Sequence, residues 1–498
     1  MEKDTLIVQG DIQLMGAYFI GIDIGTQGAR IVLLDYSGGI VQSEENVFPL
    51  DDSSREEQSP EFWWDICVKS LISLVSKSRD LIDINEIKAI AVTSTSGTVI
   101  PLDRNNKPLH NAIMYSDQRS GAQAKTATEA ARKYHSNGYT SFNFSSGLAK
   151  MLWFGDTFPD KAVRIARWVH AADYITGMLS NRWGVTDYTN AFKSGFDVSS
   201  YKWPAYLYEE LPLKQEWLPE VLPSGTIIGS ISAGTSKETG LPESIQVAVG
   251  ITDGCASQIA SGAINPGDWN TTIGTTMVIK GVTEKEVIDP YGRIYSHRHP
   301  AGYWMPGGAS NTGADWVSTD FGDNLAELTL QASRLIPSDN ISFPLRQQGE
   351  RFPIVCPEAR GFEPAGLSEA ERFTANMEGV AYLERYAYEL IEHLSNEKVN
   401  AVYTAGGGSN SDVWLTIRAN VMNKPVYKMK YVSGAVGAAI LAASNTSYSG
   451  LADAVKELTT IDKEVRPENN LARKYNDNYL RFLDIMKQKG YIKEEFDA

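Results

Sequence analysis

The sequence predicts an α/β protein of two or more domains. The chain has 498 residues, more than one hydrophobic core usually serves, and its 42% hydrophobic and 21% charged residues are typical of a folded globular protein. Runs rich in β-branched residues alternate with helical patterns along the chain. A strand–Gly-Thr–strand unit at residues 18–35 has an echo at residues 268–282. This weak duplication indicates two similar domains with a cleft between them.

The first half of the chain opens with strands. Two β-rich runs flank a tight, glycine-containing turn at residues 18–35, and a third strand is expected over 40–48. Ser59 before a proline is typical of an N-cap followed by proline at the first helical position, so a helix is predicted over 60–75. The region from 134 to 244 gives no derivable topology. The other elements predicted in this half are strands over 87–92, 99–102, 111–115 and 245–251 and a helix that ends near Lys133.

The second half partly repeats this order. After the two β-rich runs of residues 268–282, a hairpin is expected over 294–310 and a long amphipathic helix over 367–396. Charged, helical segments end the chain. Between them the pattern predicts a strand over 400–403, a helix over 411–422, a strand over 425–429 and a small-residue helix over 434–443.

Charge and cysteine content restrict the class of partner. The net charge of -15 argues against nucleic acid or an anionic membrane as a partner, but a nucleotide substrate stays open because backbone amides bind phosphate locally. Cys67, Cys255 and Cys356 are far apart and are expected to be core thiols in a reducing cytosol. No apolar run is long enough to span a bilayer, and residues 1–15 do not resemble a signal peptide. We therefore expect a cytoplasmic protein.

Four glycine- or hydroxyl-rich turns follow predicted strands, where ligands of α/β proteins bind. In the first turn the Asp23 carboxylate suits a hydrated Mg²⁺, and the Thr26 hydroxyl with nearby backbone N–H groups suits phosphate. The alternative is an ordinary hairpin whose aspartate and glycines serve only the turn. Several such turns together favour phosphate binding, although the Walker A, Rossmann and protein-kinase motifs are missing from the sequence. The turns lie at residues 23–26, 94–98, 273–276 and 406–409.

Two further features each allow two interpretations. Asp253 follows a buried strand and is either the N-cap of a helix over 256–260 or a catalytic base, and the local sequence favours the cap. The glycines 406–408 precede a helix that carries Trp414, so backbone amides and an indole face suit an α-phosphate and adenine. A flexible turn beside a core tryptophan explains that pattern equally well. His297 and His299 are interpreted as surface or cleft side chains, not as zinc ligands.

Taken together, these motifs resemble those of the FGGY carbohydrate kinases, in the superfamily of actin, hexokinase and the heat-shock chaperone ATPases. The resemblance covers nearly the whole chain, from Tyr18 to about Ala443. Its order and spacing are highly specific. The matching segments are a first phosphate motif at 21–26, a catalytic segment at 250–254 with 261–263, a second phosphate motif at 272–276, an adenosine motif at 405–414 with 424–426 following, and a small-residue helix at 434–439.

Within this family, several stretches resemble the D-ribulokinase and xylulokinase-like branch. Two positions on the sugar side depart from the family pattern. Gly147 stands where Pro, Ser or Thr usually precedes the Lys150–Trp153 signature, and Tyr115 stands where many relatives have Trp. The stretches that resemble the branch are 95–99, 187–191, 295–297, 302–304, 307–311 and 349–353.

The resemblance implies an α/β fold with two actin-like (ribonuclease H-like) ATPase domains around a central cleft. The first domain, 16–258, would bind mainly sugar, and the second, 259–498, mainly ATP. The implied reaction is Mg²⁺-dependent transfer of the ATP γ-phosphoryl group to the terminal hydroxyl of a ketopentose, with D-ribulose expected first. The alternatives are D-xylulose, another polyol or sugar, or a non-catalytic sugar or nucleotide sensor. A homodimer is left open.

The resemblance also gives each site residue a role. Asp253 and Asp23 would be catalytic: Asp253 would accept the proton of the attacking hydroxyl, and Asp23 would hold Mg²⁺ through water. In this light the catalytic role of Asp253 outweighs the N-cap, although the residue can serve both. Of the remaining residues, Thr26, Gly274 and Thr275 would contact the β- and γ-phosphates, Gly407, Gly408, Ser411 and Trp414 would hold adenosine, and Ser96 and Asp117 would hold sugar hydroxyls.

Overall fold

The computed structural model describes residues 16–134, 141–322 and 324–492. Contacts within the chain divide it into two units. The first unit extends to Ala260 and also includes Val432–Thr459, and the second consists of Ser261–Tyr431 with the chain from Thr460 onward. The predicted assignment of residues 16–258 to sugar and 259–498 to ATP stays a prediction.

The strands of the first unit are short and mostly buried. They are β1 (Tyr18–Ile24), β2 (Gly28–Asp35), β3 (Ile40–Val47), β4 (Glu57–Gln58), β5 (Ile87–Ser94), β6 (Val99–Leu102), β7 (Ala112–Ile113), β8 (Arg167–His170), β9 (Val185–Asp187), β10 (Glu220–Leu222), β11 (Ile227–Ser230) and β12 (Gln246–Thr252). Those of the second unit are β13 (Asp268–Ile273), β14 (Met277–Gly281), β15 (Tyr295–Arg298), β16 (Trp304–Ala309), β17 (Ala401–Ala405), β18 (Val426–Met429) and β19 (Ile461–Val465).

Helices cover both units. In the first unit they are α1 (Pro60–Ser78), α2 (Gly121–Tyr134), α3 (Gly147–Thr157), α4 (Pro159–Ala162), α5 (Ala171–Ser180), α6 (Tyr188–Phe192), α7 (Tyr206–Glu209), α8 (Ala233–Thr239), α9 (Asp253–Ala260), α14 (Gly434–Ser444) and α15 (Leu451–Leu458). In the second unit they are α10 (Asp315–Asp320), α11 (Leu325–Leu335), α12 (Glu369–Ser395), α13 (Asp412–Met422) and α16 (Asn469–Gln488). Short 3₁₀ turns lie at Asp52–Arg55, Ile84–Glu86, Gln215–Trp217 and Gly407–Asn410.

The main sheet of the first unit has the strand order β11-β12-β5-β1-β2-β3. β1 is antiparallel to β2 and parallel to β5, and β5 is parallel to β12. Because the carboxyl ends of parallel strands meet at one edge of a sheet, the residues that follow β1, β5 and β12 are brought together there. Two smaller sheets have the orders β4-β7-β6-β8 and β10-β9. Of their strands, β8, β9 and β10 lie in the region 134–244, whose topology the sequence did not reveal.

The main sheet of the second unit repeats this succession. Its order is β15-β16-β14-β13-β17-β18-β19. β13 is antiparallel to β14 and parallel to β17, β17 is parallel to β18, and β18 is antiparallel to β19. The corresponding strands in the first sheet are β1, β2, β5, β12 and β11, which pair in the same directions. The predicted duplication is therefore confirmed.

Most predicted element ends follow from local chemistry. Ser59 caps α1 by accepting a hydrogen bond from the Phe62 N–H at 3.1 Å. α12 begins with a capping box in which the side chains of Ser368 and Glu371 each accept from the other residue's backbone N–H. The strand predicted over 111–115 is shorter than expected, because the Asp117 N–H turns back to the Met114 carbonyl at 3.0 Å.

Helix α14 packs on the first sheet almost backbone to backbone. A Cβ added at Gly21 of β1 would lie 1.8 Å from the Ala435 carbonyl oxygen, and one at Gly437 would lie 1.9 Å from the Ala256 carbonyl oxygen of α9. No side chain fits at either position. These glycines fix how closely β1, α9 and α14 approach, and β1 and α9 carry Asp23 and Asp253.

A pair of Gly→Ala substitutions in helices tests this packing. Gly437→Ala should destabilise the protein by about 1–3 kcal/mol or more, because its methyl group overlaps the Ala256 carbonyl. Gly155→Ala in α3 is the control, since a Cβ there meets no atom within 4 Å, and it should stabilise by about 0.4–1 kcal/mol. Urea denaturation of both variants measures the difference. Equal stabilities for the two variants would contradict the close packing.

Candidate active site

Three strand ends of the first unit assemble the predicted catalytic residues. In the β1–β5 pairing Asp23 lies opposite Thr93, and in the β5–β12 pairing Ile251 lies opposite the same threonine. Asp253 follows two residues after Ile251 and begins α9. Asp23 and Asp253 therefore lie at the same edge of one sheet, with β5 between their strands.

The Asp23 side chain is placed as a cation ligand would be. Its Oδ1 atom is buried and has no hydrogen-bond partner among the described residues. Burial, followed by the negative charge of Asp253, raises the pKa of Asp23 to about 7, and Arg30 opposes the shift. A buried carboxylate oxygen without a partner, beside a second carboxylate, fits a hydrated Mg²⁺.

In one interpretation, the sequence analysis gave Asp253 as the N-cap of a helix over 256–260, whereas the structure places Asp253 inside the helix as the first residue of α9. Its Oδ1 atom accepts the Gly254 N–H at 2.7 Å, and its side chain is half-buried. A carboxylate in the first turn also interacts favourably with the helix dipole. This geometry allows both a structural and a catalytic role, so the role as base stays a prediction.

A cavity of about 610 Å³ in the first unit contains both Asp23 and Thr26. The sequence analysis missed Arg30, which lines the same cavity and lies opposite Asp23 in the β1–β2 pairing. The cavity thus joins a carboxylate, a hydroxyl and a guanidinium, which are groups that bind a metal–phosphate complex. The signal for Arg30 was its place on β2, after the turn that starts at Asp23.

The two predicted sugar ligands have different surroundings. The buried Ser96 Oγ atom has no hydrogen-bond partner among the described residues, so it is available to a ligand. Asp117 is 1% exposed and accepts hydrogen bonds from Arg119 Nε at 3.0 Å and Nη2 at 2.7 Å. Arg119 also contacts Glu57 and stacks over the Trp153 ring at 4.3 Å. The Asp117 charge is therefore already neutralised.

Lys150 is a fully buried lysine near Asp117 that the sequence analysis noted only as part of a family signature. Its Nζ atom donates to the Phe144 carbonyl. Burial lowers the pKa of Lys150 to about 7, with Asp117 opposing the shift and Lys193 adding to it. At neutral pH this side chain carries only part of a positive charge.

The second unit has a cavity of about 780 Å³ that collects the predicted nucleotide residues. Thr26, the remaining predicted phosphate ligand, lies instead in the cavity of the first unit. Gly406 has a φ of +81°, and a Cβ there would lie 2.4 Å from the Ile273 carbonyl oxygen. The turns at residues 273–276 and 406–409 can therefore approach each other only with a glycine at position 406. The predicted residues that line this cavity are Gly274, Thr275, Gly407, Gly408, Ser411 and Trp414.

Apolar side chains that no motif indicated form much of the remaining wall. Val317, Leu325, Phe373 and Met377 come from α10, α11 and α12, and they suit the flat, apolar faces of a nucleobase. Their sequence signal was ordinary helical periodicity. Tertiary packing alone places them around the cavity.

Trp414 belongs to the core as well as to the cavity. It is 4% exposed, its indole N–H donates to the Met377 carbonyl at 3.0 Å, and its ring packs on Trp316. Trp414 is thus both a core tryptophan and part of the cavity wall, as the two interpretations from the sequence separately predicted. Stacking on adenine stays a prediction, since most of the ring already has protein neighbours.

Glu350 orders the loop beside Gly274. Its buried carboxylate accepts the Ser310 hydroxyl at 2.8 Å, the Asn311 N–H at 2.7 Å and the Thr312 hydroxyl at 2.7 Å. The loop continues to Ala314, whose N–H donates to the Gly274 carbonyl at 2.7 Å. The segments 307–311 and 349–353 are therefore in contact. From the sequence they were known only as stretches that resemble a family branch.

The interpretation of His297 and His299 as surface or cleft side chains is wrong. They are 2% and 1% exposed, and burial lowers the pKa of His299 to about 4. Cys67 and Cys255 are buried, as expected of core thiols, whereas Cys356 is only half-buried. Among the described residues, no group of three or more His, Cys, Asp or Glu side chains is arranged to hold a metal ion. No described helix is long and apolar enough to cross a membrane.

Two family models match the chain. The model described as "FGGY family of carbohydrate kinases, N-terminal domain" matches residues 18–260, and the corresponding C-terminal model matches 269–446. The gluconokinase of Bacillus subtilis is 25% identical over 95% of this chain and 96% of its own length. The xylulose kinase of B. subtilis is 27% identical over 86% of this chain and 89% of its own length.

Solved structures share the fold. A xylulose kinase from Lactobacillus acidophilus superposes with a TM-score of 0.81 at 24% identity, over 96% of this chain and all of the other. A gluconate kinase from the same organism also gives 0.81 at 24% identity, over 95% of this chain and 98% of the other. The predicted α/β class with two actin-like units is thus confirmed.

The buried lysine makes stability depend on pH in a defined direction. Because the pKa of Lys150 in the folded protein is about 7, below its ordinary value of 10.5, folding is opposed by its charge below pH 7. The opposition fades as pH rises toward 10.5. We expect the stability of Lys150→Met relative to wild type to fall by up to about 1.4 kcal/mol per pH unit above pH 7. Denaturation at pH 6, 7, 8 and 9 measures this, and Lys125→Met, at an exposed position, should show no such trend.

A substitution at Gly407 tests whether the 780 Å³ cavity binds the nucleotide without disturbing the packing of the core. A Cβ at Gly407 meets no atom within 4 Å, so Gly407→Leu should fill cavity space and raise KM for ATP about tenfold or more at unchanged thermal stability. Gly408→Ala should instead lower stability, since its Cβ would lie 2.9 Å from the Ile273 side chain. An exposed glycine, Gly121, gives the control Gly121→Leu. A normal KM for ATP in Gly407→Leu would contradict the prediction that ATP binds in this cavity.

Proposed function

We propose that this chain, which belongs to the FGGY family of carbohydrate kinases, transfers the γ-phosphoryl group of ATP to the terminal hydroxyl of a ketopentose. The chain is an ATP-dependent carbohydrate kinase, and the ketopentose is the part that is proposed. The observation that carries the proposed chemistry is the pair of carboxylates at one sheet edge, where the buried Asp23 Oδ1 has no hydrogen-bond partner in the part of the chain that the structure describes.

Phosphoryl transfer requires positioning and charge neutralisation more than covalent chemistry. The terminal hydroxyl oxygen of the sugar attacks the γ-phosphorus, its proton passes to the Asp253 carboxylate, and ADP leaves. Asp23 would hold a hydrated Mg²⁺, which would supply neutralisation of charge at the phosphates. Thr26, Gly274 and Thr275 supply hydroxyl and backbone donors to the β- and γ-phosphates.

The second unit holds the nucleotide in this scheme. Gly407, Gly408 and Ser411 contact adenosine, and the apolar wall of the 780 Å³ cavity accepts the base. The first unit holds the sugar through the free Ser96 hydroxyl and the Asp117 carboxylate.

A neutral acceptor fits the charges around Asp117 better than a sugar acid. Arg119 is committed to Asp117 and Glu57, and Lys150 is only partly charged at neutral pH. Arg119 and Lys150 therefore offer a carboxylate substrate no fully available cation, and Lys193, whose charge also acts on Lys150, is a further cation near this group. This favours a ketopentose over gluconate, although relatives carrying both names are about equally similar to this chain.

The ketopentose itself is D-ribulose or D-xylulose. The family branch that the sequence resembles favours D-ribulose, whereas relatives named xylulose kinase support D-xylulose. Release of ADP, with the phosphorylated product verified by ³¹P NMR, should be measured for D-ribulose, D-xylulose, L-ribulose, D-gluconate and glycerol. We expect the highest kcat/KM for one of the two D-ketopentoses. A higher value for gluconate would overturn the argument from charge, and binding without turnover for every sugar would indicate a sensor.

The role of Asp253 is tested by Asp253→Asn. The amide keeps the size of the side chain and can still accept the Gly254 N–H, so folding should survive. It cannot accept a proton, and turnover should fall roughly 10²–10⁴-fold with ATP binding and melting temperature nearly unchanged. Near-normal turnover in Asp253→Asn, combined with unfolding of Asp253→Ala, would show that the carboxylate has only a structural role.

A further inference from the structure

Strand β12 is irregular just before Asp253. Its pairing with β5 shifts register between Ala248 and Ile251. A Cβ at Gly250 would lie 2.0 Å from the Val92 carbonyl oxygen, so the strands cross closely there. The ladder is disrupted locally at this irregularity and resumes at Ile251 and Thr252, the last two residues before Asp253.

Two side-chain hydroxyls hold the end of β12, one from each side. The Thr93 hydroxyl on β5 donates to the Ile251 carbonyl at 2.7 Å. The Thr189 hydroxyl on α6 accepts the Thr252 N–H at 3.0 Å. All of these groups are buried, so neither bond competes with bulk water.

Asp187 fixes the orientation of the Thr189 hydroxyl. Its Oδ2 atom accepts both the Thr189 N–H at 2.6 Å and the Thr189 hydroxyl at 2.5 Å. Because that hydroxyl proton is committed to Asp187, the Thr189 oxygen presents a lone pair to the Thr252 N–H. Asn190 and Ser224 donate to the same carboxylate, which is fully buried.

We propose that Asp187 and Thr189 are positioning residues that set the place of Asp253 through the Thr252 backbone. This inference rests on the proposed role of Asp253 as the base. Asp187 and Thr189 reach the reacting atoms only through the backbone of residue 252. The simpler interpretation is that Asp187 only caps α6, whose N2 and N3 backbone N–H groups it accepts.

Thr189→Val keeps the shape of the side chain but removes the acceptor for the Thr252 N–H. We expect kcat to fall about 10–100-fold, since displacement of a catalytic group by about 1 Å has that effect, while KM for ATP stays within about twofold. Thr189→Ser retains the hydroxyl and should restore most of kcat. Ser224→Ala is the matched control, because it removes a donor to Asp187 without touching β12.

A double-mutant cycle separates positioning from a general loss of structure. In the Asp253→Asn background, Thr189→Val should lower the residual turnover less than about threefold, because the group that it positions no longer acts. A similar loss in both backgrounds, or a lower melting temperature with unchanged kcat, would overturn the inference. Capping of α6 by Asp187 would then be the only role that remains for this group. Near-normal turnover in Asp253→Asn itself would overturn the proposed function instead, so the two failures are distinguishable.

Discussion

The proximity of two carboxylates, Asp23 and Asp253, is the constraint around which the first unit is built. The burial of Asp23 and the charge of Asp253 both raise the pKa of Asp23, so the folded protein maintains an unfavourable arrangement. Two like charges in a partly buried environment do not stabilise the fold, so folding alone gives no reason for their proximity. Such conflicts are concentrated at functional sites, and the cation proposed for this site would remove the conflict.

Close packing of backbones maintains that arrangement. β1, α9 and α14 approach through glycines at which no side chain fits, and Gly434 lies where a Cβ would be 2.7 Å from Asp23 Oδ2. The small residues of α14 were visible in the sequence and suit close helix packing, but the elements that they pack against were not. Their role is to let a helix distant in sequence pack against the strand that presents Asp23.

Local patterns predicted the parts of the fold that local chemistry decides. The turn after Asp23, the cap at Ser59 and the repeated strand order followed from periodicity and turn residues. Contacts between distant segments were beyond such reasoning. The bond from Thr252 to Thr189 spans 63 residues, and the apolar wall of the 780 Å³ cavity in the second unit comes from helices without motifs. His297 and His299 were misjudged because a polar side chain gives no sign of burial until its neighbours are known.

The first unit treats its two predicted ligand carboxylates in opposite ways. Asp117 is neutralised by a bidentate arginine, which in turn is held over Trp153, so this carboxylate is ready to accept hydrogen bonds from neutral hydroxyls without needing a new cation. Among the described residues, Asp23 Oδ1 has no hydrogen-bond partner, and Arg30 is the cation that opposes the rise in the Asp23 pKa. A chain that needed both carboxylates only for stability would have paired both. The difference supports the proposal that Asp117 binds a neutral sugar and that Asp23 holds a cation, since phosphoryl transfer to a sugar hydroxyl needs both positioning and charge neutralisation.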